Sequence, residues 1–123
     1  MSNHILIIED DQVLAASLED IFEHDAYNVT VCHSGHDGLA TALAEQPDLI
    51  ILDIKMPDMN GYQVYEKLRS DSWGATAKVI VLTASESLDN IAKNIDLPRE
   101  DILFKPQISV TELQQTIAQK LSN

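Results

Sequence analysis

The feature of this sequence that most constrains its fold is a set of short aliphatic runs without polar alternation. Residues 5–8, 49–52 and 79–82 are aliphatic throughout. A strand with one wet face alternates apolar and polar residues, so these runs are typical of a parallel sheet that is covered on both faces. Two further strands are predicted at residues 29–32 and 101–104.

Segments with apolar residues at helical spacing separate the predicted strands. These segments predict helices near residues 13–22, 39–43, 62–68, 88–95 and 110–121. Alternating strands and helices imply right-handed crossover connections and a parallel sheet. We therefore predict a single α/β domain over residues 1–123, with a five-stranded parallel sheet that is covered by helices on both faces.

Polar side chains follow four of the predicted strands. Glu9 and Asp10 follow the first, Asp53 the third, Thr83 ends the fourth and Lys105 follows the fifth. In an open parallel sheet, ligands bind beyond the carboxyl ends of the strands, so we expect these side chains to converge. Clustered carboxylates raise one another's pKa unless a cation lies among them, and oxygen ligands of this kind suit Mg²⁺.

The same residue types suit phosphoryl chemistry. An aspartate such as Asp53 can act as a nucleophile and form an acyl phosphate. Lys105 supplies a positive charge for phosphate oxygens and Thr83 a hydroxyl donor. Taken singly, each residue has a purely structural interpretation, and we predict that Asp11 caps the first helix. The convergence of four strand ends favours a functional site.

Composition restricts the partners. The formal net charge is −12, with 20 acidic and 8 basic residues, which argues against direct binding to nucleic acids or anionic membranes. The one cysteine, Cys32, is predicted to be buried and inert. The sequence shows no secretion signal and no apolar run long enough to cross a bilayer, so we expect a soluble, cytoplasmic protein. The histidines, His33 included, are interpreted as surface or loop residues.

Taken together, these segments resemble the receiver domains of bacterial response regulators along the whole chain. Residues 5–11 resemble the family's first strand and acidic pair, and residues 79–84 its switch-threonine strand. Residues 47–61 are the most specific match, to the phosphorylation strand and the loop after it. Residues 104–106 resemble the lysine–proline end of the fifth strand.

The resemblance implies a doubly wound, flavodoxin-like fold with a parallel sheet of order 2-1-3-4-5, and a two-component or phosphorelay function. Asp53 would receive a phosphoryl group from a phosphohistidine on a sensor histidine kinase or a histidine phosphotransfer protein. Mg²⁺ would be held by Asp10, Asp53 and the backbone carbonyl of Lys55, with Glu9 acting through water. The phosphorylated protein would then bind an unidentified downstream protein.

Thr83 and Lys105 would bind the phosphoryl oxygens, and the peptide before Pro106 is expected to be cis. One departure from the family pattern is Ile102, which stands three positions before the lysine, where many receivers carry an aromatic residue. The last predicted helix carries few charges, which favours a monomer or a weak dimer over the charge-paired dimers of several transcription-factor receivers.

Three alternatives stay open. A degenerate receiver would keep the fold as an unphosphorylated docking module, and the altered position 102 favours this interpretation mildly. A phosphatase resembling the haloacid dehalogenase family would need a second aspartate two residues after the first, where Lys55 stands. A nucleotide- or flavin-binding module would need a phosphate loop after the first strand, where three acidic residues stand instead.

Overall fold

Five parallel strands form the centre of the protein. The computed structural model describes residues 3–84, 91 and 93–122. The strands are β1 (His4–Ile8), β2 (Asn28–Cys32), β3 (Leu49–Leu52), β4 (Val79–Thr83) and β5 (Ile102–Phe104). They form one sheet of order β2-β1-β3-β4-β5 in which all four neighbouring pairs are parallel. The predicted strands and their predicted order are therefore confirmed.

Helices connect the strands and cover the sheet. They are α1 (Gln12–His24), α2 (Gly35–Glu45), α3 (Gly61–Arg69) and α4 (Val110–Ser122). Of the helix predicted near residues 88–95, residues 91, 93 and 94 are helical, whereas 88–90 and 92 lie outside the described residues. Within the part of the chain that the structure describes, no helix combines the length and apolar character needed to cross a membrane.

The strands bury residues on both faces, as their unbroken aliphatic runs predicted. One face, with Leu6, Ile50 and Val81, packs against α2, α3 and the segment around Ile91. The strand residues between these, such as Ile7, point to the opposite face, which packs against α1 and α4. Because successive side chains on a strand point to opposite faces, each central strand contributes to both cores.

Local signals in the sequence explain where the helices near the sheet's carboxyl edge begin. The Asp11 carboxylate accepts hydrogen bonds from the backbone N–H groups of Val13 and Leu14, so its predicted capping role is confirmed. At the start of α3, Asn60 and Gln63 form a reciprocal capping box. These caps fix the first turns of α1 and α3 directly after the loops that follow β1 and β3.

Two features of the C-terminal region bear on the site. The peptide before Pro106 is trans, since the described residues contain no cis peptide bond, so the expectation of a cis bond was wrong. Pro106 instead lies within a 3₁₀ turn over Lys105–Gln107, and the trans form is the ordinary state of an X–Pro bond. In α4, the Lys120 Nζ atom lies 2.6 Å from the buried Asp101 carboxylate, which ties the last turn of the helix to the start of β5.

Candidate functional site

Three carboxylates meet at the carboxyl edge of the sheet. Glu9 and Asp10 follow β1, and Asp53 follows the adjacent strand β3. Each offers an oxygen atom within 4.8 Å of the others. Glu9 and Asp53 are buried, at 2% and 4% exposure, whereas Asp10 is partly exposed. The predicted convergence of these residues is confirmed.

Lys105 brings a positive charge to the same place from β5. Its Nζ atom lies 2.8 Å from Glu9 Oε1 and 3.4 Å from Asp53 Oδ1. The ammonium therefore lies closer to Glu9 than to the predicted phosphoacceptor. Its side chain is 19% exposed, so the bridge between the two carboxylates is only partly open to solvent.

Burial and crowding alter the protonation of the site. Loss of solvent, followed by a hydrogen bond with Glu9 and repulsion from its charge, raises the pKa of Asp53 from 3.8 to about 7, although Lys105 opposes the rise. Burial works against the charge on Lys105, but its hydrogen bonds and attraction to Glu9 and Asp53 raise its pKa above the ordinary value. Burial is thus the main cost of charging Asp53, and the adjacent Glu9 adds to that cost.

Backbone contacts fix the position of Asp53. Its N–H donates to the Ile8 carbonyl over 3.0 Å, which extends the pairing of β1 with β3 past the last strand residue. The N–H of Gly61 donates to the Ile54 carbonyl over 2.8 Å, which brings the first turn of α3 against the Asp53 backbone. A Cβ atom on Gly61 would collide with the Asp53 carbonyl oxygen, so only glycine permits this approach.

Glu9 is held through both its side chain and its backbone. Its Oε2 atom accepts the Asp11 N–H over 3.1 Å, while Oε1 accepts from Lys105. Its carbonyl oxygen lies 3.1 Å from the Nδ1 atom of His33, which follows β2. His33 is exposed, as expected, but its contact with Glu9 was not predicted. The sequence carries no local signal for a contact between residues 24 positions apart.

The other predicted residues lie around this cluster. Thr83 is fully buried as the last residue of β4, and it pairs in register with Phe104, the neighbour of Lys105. Lys55 is exposed in the loop two residues after Asp53. Ile102 pairs with Val81 and is buried at 3% exposure. An aliphatic side chain thus fills the core position that the family resemblance assigns to an aromatic residue.

The acidic cluster has the chemistry of a Mg²⁺ site. Its three carboxylates supply hard oxygen atoms at the carboxyl edge of a parallel sheet, and burial, a hydrogen bond with Glu9 and repulsion from its charge together raise the pKa of Asp53. A divalent cation would relieve that repulsion, and Mg²⁺ is ordinarily bound by a few carboxylates together with waters and phosphate. The donor set therefore fits the predicted cofactor.

Comparison with known proteins identifies the family to which this fold and site belong. Residues 5–118 match the family described as "Response regulator receiver domain". The chain is also 39% identical over 102 residues to the response regulator ArlR of Staphylococcus aureus, a match that covers 83% of this chain. The chain belongs to the response regulator receiver domain family. It is accordingly a receiver and not a conventional enzyme.

Solved structures agree with this assignment. A putative response regulator from Chloroflexus aurantiacus superposes with a TM-score of 0.89 at 25% identity, covering all of both chains. The receiver domain of the sensor histidine kinase PA1611 from Pseudomonas aeruginosa superposes with a TM-score of 0.87 at 26% identity, also over both full chains. That structure is described as having a magnesium ion coordinated in its active site cleft.

The match to ArlR covers only part of that protein. This chain spans 45% of its length, so just under half of the relative corresponds to the domain described above.

Proposed function

We propose that residues 1–123 form one receiver domain that accepts a phosphoryl group on Asp53 and thereby changes its binding to a partner. The observation that carries this proposal is the buried Asp53 carboxylate, adjacent to Glu9 and Asp10 and 3.4 Å from the Lys105 ammonium. Membership of the receiver family gives the cluster its expected use.

Glu9, Asp10, Asp53 and the backbone carbonyl of Lys55 would hold Mg²⁺, with Glu9 acting through water. When bound, the ion would neutralise negative charge on the carboxylates and on the incoming phosphoryl oxygens. The acidic cluster and the magnesium described in the PA1611 receiver both support this assignment. A carboxylate whose pKa lies near 7 would also be kept in its nucleophilic, ionised form by a nearby cation.

The protein's own residues supply alignment and charge. An Asp53 oxygen forms a bond to phosphorus as the N–P bond of the phosphohistidine breaks, and the departing imidazole keeps the electron pair and takes up a proton. Lys105 and Thr83, from the adjacent ends of β5 and β4, would bind the phosphoryl oxygens. The Lys105 ammonium, which lies 2.8 Å from Glu9, has three N–H donors with which to reach the new phosphate.

The partners follow from the same function. The phosphoryl donor would be a sensor histidine kinase or a histidine phosphotransfer protein in the cytoplasm, and the acceptor of the signal a downstream protein. The strongly acidic composition supports a protein partner over direct contact with nucleic acid or membrane. We propose a monomer or weak dimer because Lys120, one of the few charges on α4, is already paired with Asp101 of the same chain.

Intact-mass spectrometry after incubation with acetyl phosphate and Mg²⁺ tests the phosphoacceptor. We expect one phosphoryl adduct that a chelator prevents and hydroxylamine removes, because an acyl phosphate is labile to that nucleophile whereas a serine or threonine phosphate is not. Asp53→Asn should abolish the adduct. Asp58→Asn, at an exposed aspartate in the same loop, should retain it.

The opposite result would favour the docking-module alternative. If the folded wild-type protein forms no adduct with Mg²⁺ present, the phosphoacceptor role of Asp53 is refuted. An adduct that survives Asp53→Asn would place the phosphoryl group elsewhere and refute the assignment of the residue.

A further inference from the structure

His33 makes a side-chain contact with the backbone of the acidic site. Its Nδ1 atom lies 3.1 Å from the Glu9 carbonyl oxygen. A carbonyl oxygen only accepts hydrogen bonds, so Nδ1 must carry the hydrogen and donate it. On the other side of the same residue, the Glu9 N–H donates to the Cys32 carbonyl over 3.0 Å. Residues 32 and 33 therefore bind both backbone polar groups of Glu9.

The His33 side chain takes the place of a backbone N–H group and so extends the pairing of β1 with β2 by one residue. The register of β1 and β2 ends at the pair Ile8 and Cys32, so Glu9 lies beyond the last strand pair. The backbone of Cys32 binds the Glu9 N–H, but the Glu9 carbonyl receives its hydrogen bond from an imidazole. The orientation of that carbonyl therefore depends on one side chain that is exposed to solvent.

The bound carbonyl belongs to the peptide group that joins Glu9 to Asp10. Because a peptide group is planar and rigid, fixing its carbonyl oxygen fixes the direction in which the chain enters Asp10. The Glu9 side chain is held independently by Lys105 and the Asp11 N–H. Asp10 is partly exposed, so the preceding peptide is a direct constraint on where its carboxylate lies relative to Glu9 and Asp53.

We propose that His33 is a positioning residue that fixes the peptide between Glu9 and Asp10 and so arranges the acidic cluster for a divalent cation. The inference rests on the proposed function, in which this cluster binds Mg²⁺. His33 itself does not touch the cation. It acts through its Nδ1 hydrogen bond to the Glu9 carbonyl.

Three substitutions of His33 separate the hydrogen bond from the bulk of the ring. Asparagine places an amide N–H donor about where Nδ1 stands, whereas glutamine places its donor one bond farther out, nearer the position of Nε2. Alanine removes both donors. The matched control is His36→Ala, at an exposed histidine in the first turn of α2.

The measurement is the dissociation constant for Mg²⁺ alone, by isothermal titration calorimetry, which needs no phosphoryl transfer. We expect His33→Ala and His33→Gln to weaken Mg²⁺ binding roughly three- to tenfold, the range that follows from one lost hydrogen bond. His33→Asn should restore affinity to within about twofold of wild type, and His36→Ala should leave it unchanged. The free energy of unfolding in urea, measured without metal, should be similar for the asparagine and glutamine variants. A difference between them in Mg²⁺ affinity then does not come from a difference in stability, which is what a purely structural role would require.

Two results would overturn the inference alone: wild-type Mg²⁺ affinity in His33→Ala, or equal weakening by asparagine and glutamine. Wild-type protein that binds no Mg²⁺ would refute both this inference and the proposed function. The two kinds of failure are therefore distinguishable in one set of titrations.

Discussion

Replacing Asp53 with asparagine should make the metal-free protein more stable above pH 7. In the folded chain, burial and the neighbouring Glu9 raise the pKa of Asp53 from 3.8 to about 7. Well below pH 3.8, the carboxyl is protonated in both the folded and the unfolded chain. As the pH rises towards 7, the unfolded chain releases its proton first, so the folded state loses stability, and the loss is complete above the folded pKa.

The size of the effect follows from the pKa difference. One pKa unit corresponds to about 1.4 kcal/mol, so a rise from 3.8 to about 7 costs the folded state on the order of 4 kcal/mol at pH 8. The Asp53 side chain is only 5% exposed, so solvent screens this cost little. The asparagine also removes one partner of Lys105, which keeps its closer contact with Glu9. We therefore expect a net gain of about 2–4 kcal/mol in the free energy of unfolding.

Urea denaturation of wild type and Asp53→Asn between pH 5 and pH 8, with a chelator present, measures this gain. It should be largest at pH 8 and shrink as the pH falls through 7 towards 5. Saturating Mg²⁺ should narrow the difference at pH 8, because the ion stabilises the wild-type carboxylates. Asp20→Asn, at an exposed position of α1, should change the free energy by less than about 0.5 kcal/mol. An asparagine variant no more stable than wild type at pH 8, or a gain independent of pH, would refute the reasoning.

The remaining predictions concern stability, and urea denaturation measures each of them. Ala26→Gly should raise the free energy of unfolding by about 0.5–1 kcal/mol, because Ala26 has φ 69°, a left-handed conformation that costs a residue with a Cβ atom about 1–2 kcal/mol. Ala16→Gly, at an exposed position within α1, should instead lower the free energy of unfolding by about 1 kcal/mol. If both glycine substitutions changed the free energy in the same direction, the argument from the φ angle of Ala26 would be refuted. Lys120→Met should lower the free energy by about 2–3 kcal/mol, because the buried Asp101 carboxylate loses the ammonium 2.6 Å away. Lys67→Met on the exposed surface of α3 should change it by less than about 0.5 kcal/mol, and a similar loss at both lysines would show that the ion pair is not the cause.

The sheet could be predicted because its signal lies in consecutive residues. An unbroken aliphatic run such as residues 49–52 has to be buried on both faces, and β3 spans Leu49–Leu52 as predicted. The other strands begin and end within one residue of the predicted bounds. The meeting of Glu9, Asp10 and Asp53 followed from the same pattern, because parallel neighbouring strands end at one edge of a sheet.

Features that depend on side-chain conformation could not be predicted in this way. The sequence places Lys105 at the site but does not show that its ammonium lies nearer to Glu9 than to Asp53. Asp101 was predicted to begin the fifth strand, but it ends the 3₁₀ turn over Arg99–Asp101, and its buried carboxylate contacts Lys120, a residue 19 positions away. The contact of His33 with the Glu9 backbone likewise depends on the rotamer of one imidazole, which no pattern in the sequence specifies.

Because β5 lies at an edge of the sheet, the lysine of the site and its carboxylates follow strands of different local stability. β5 is one of the two edge strands, it has three residues, and within the described sheet it pairs with β4 alone. The carboxylates follow β1 and β3, each of which has a strand on both sides. Backbone hydrogen bonds at a short sheet edge open at a lower free-energy cost than those in the centre. The ammonium of Lys105 thus follows a segment whose amide hydrogens we expect to exchange sooner than those of β1 and β3, the strands that precede Glu9 and Asp53.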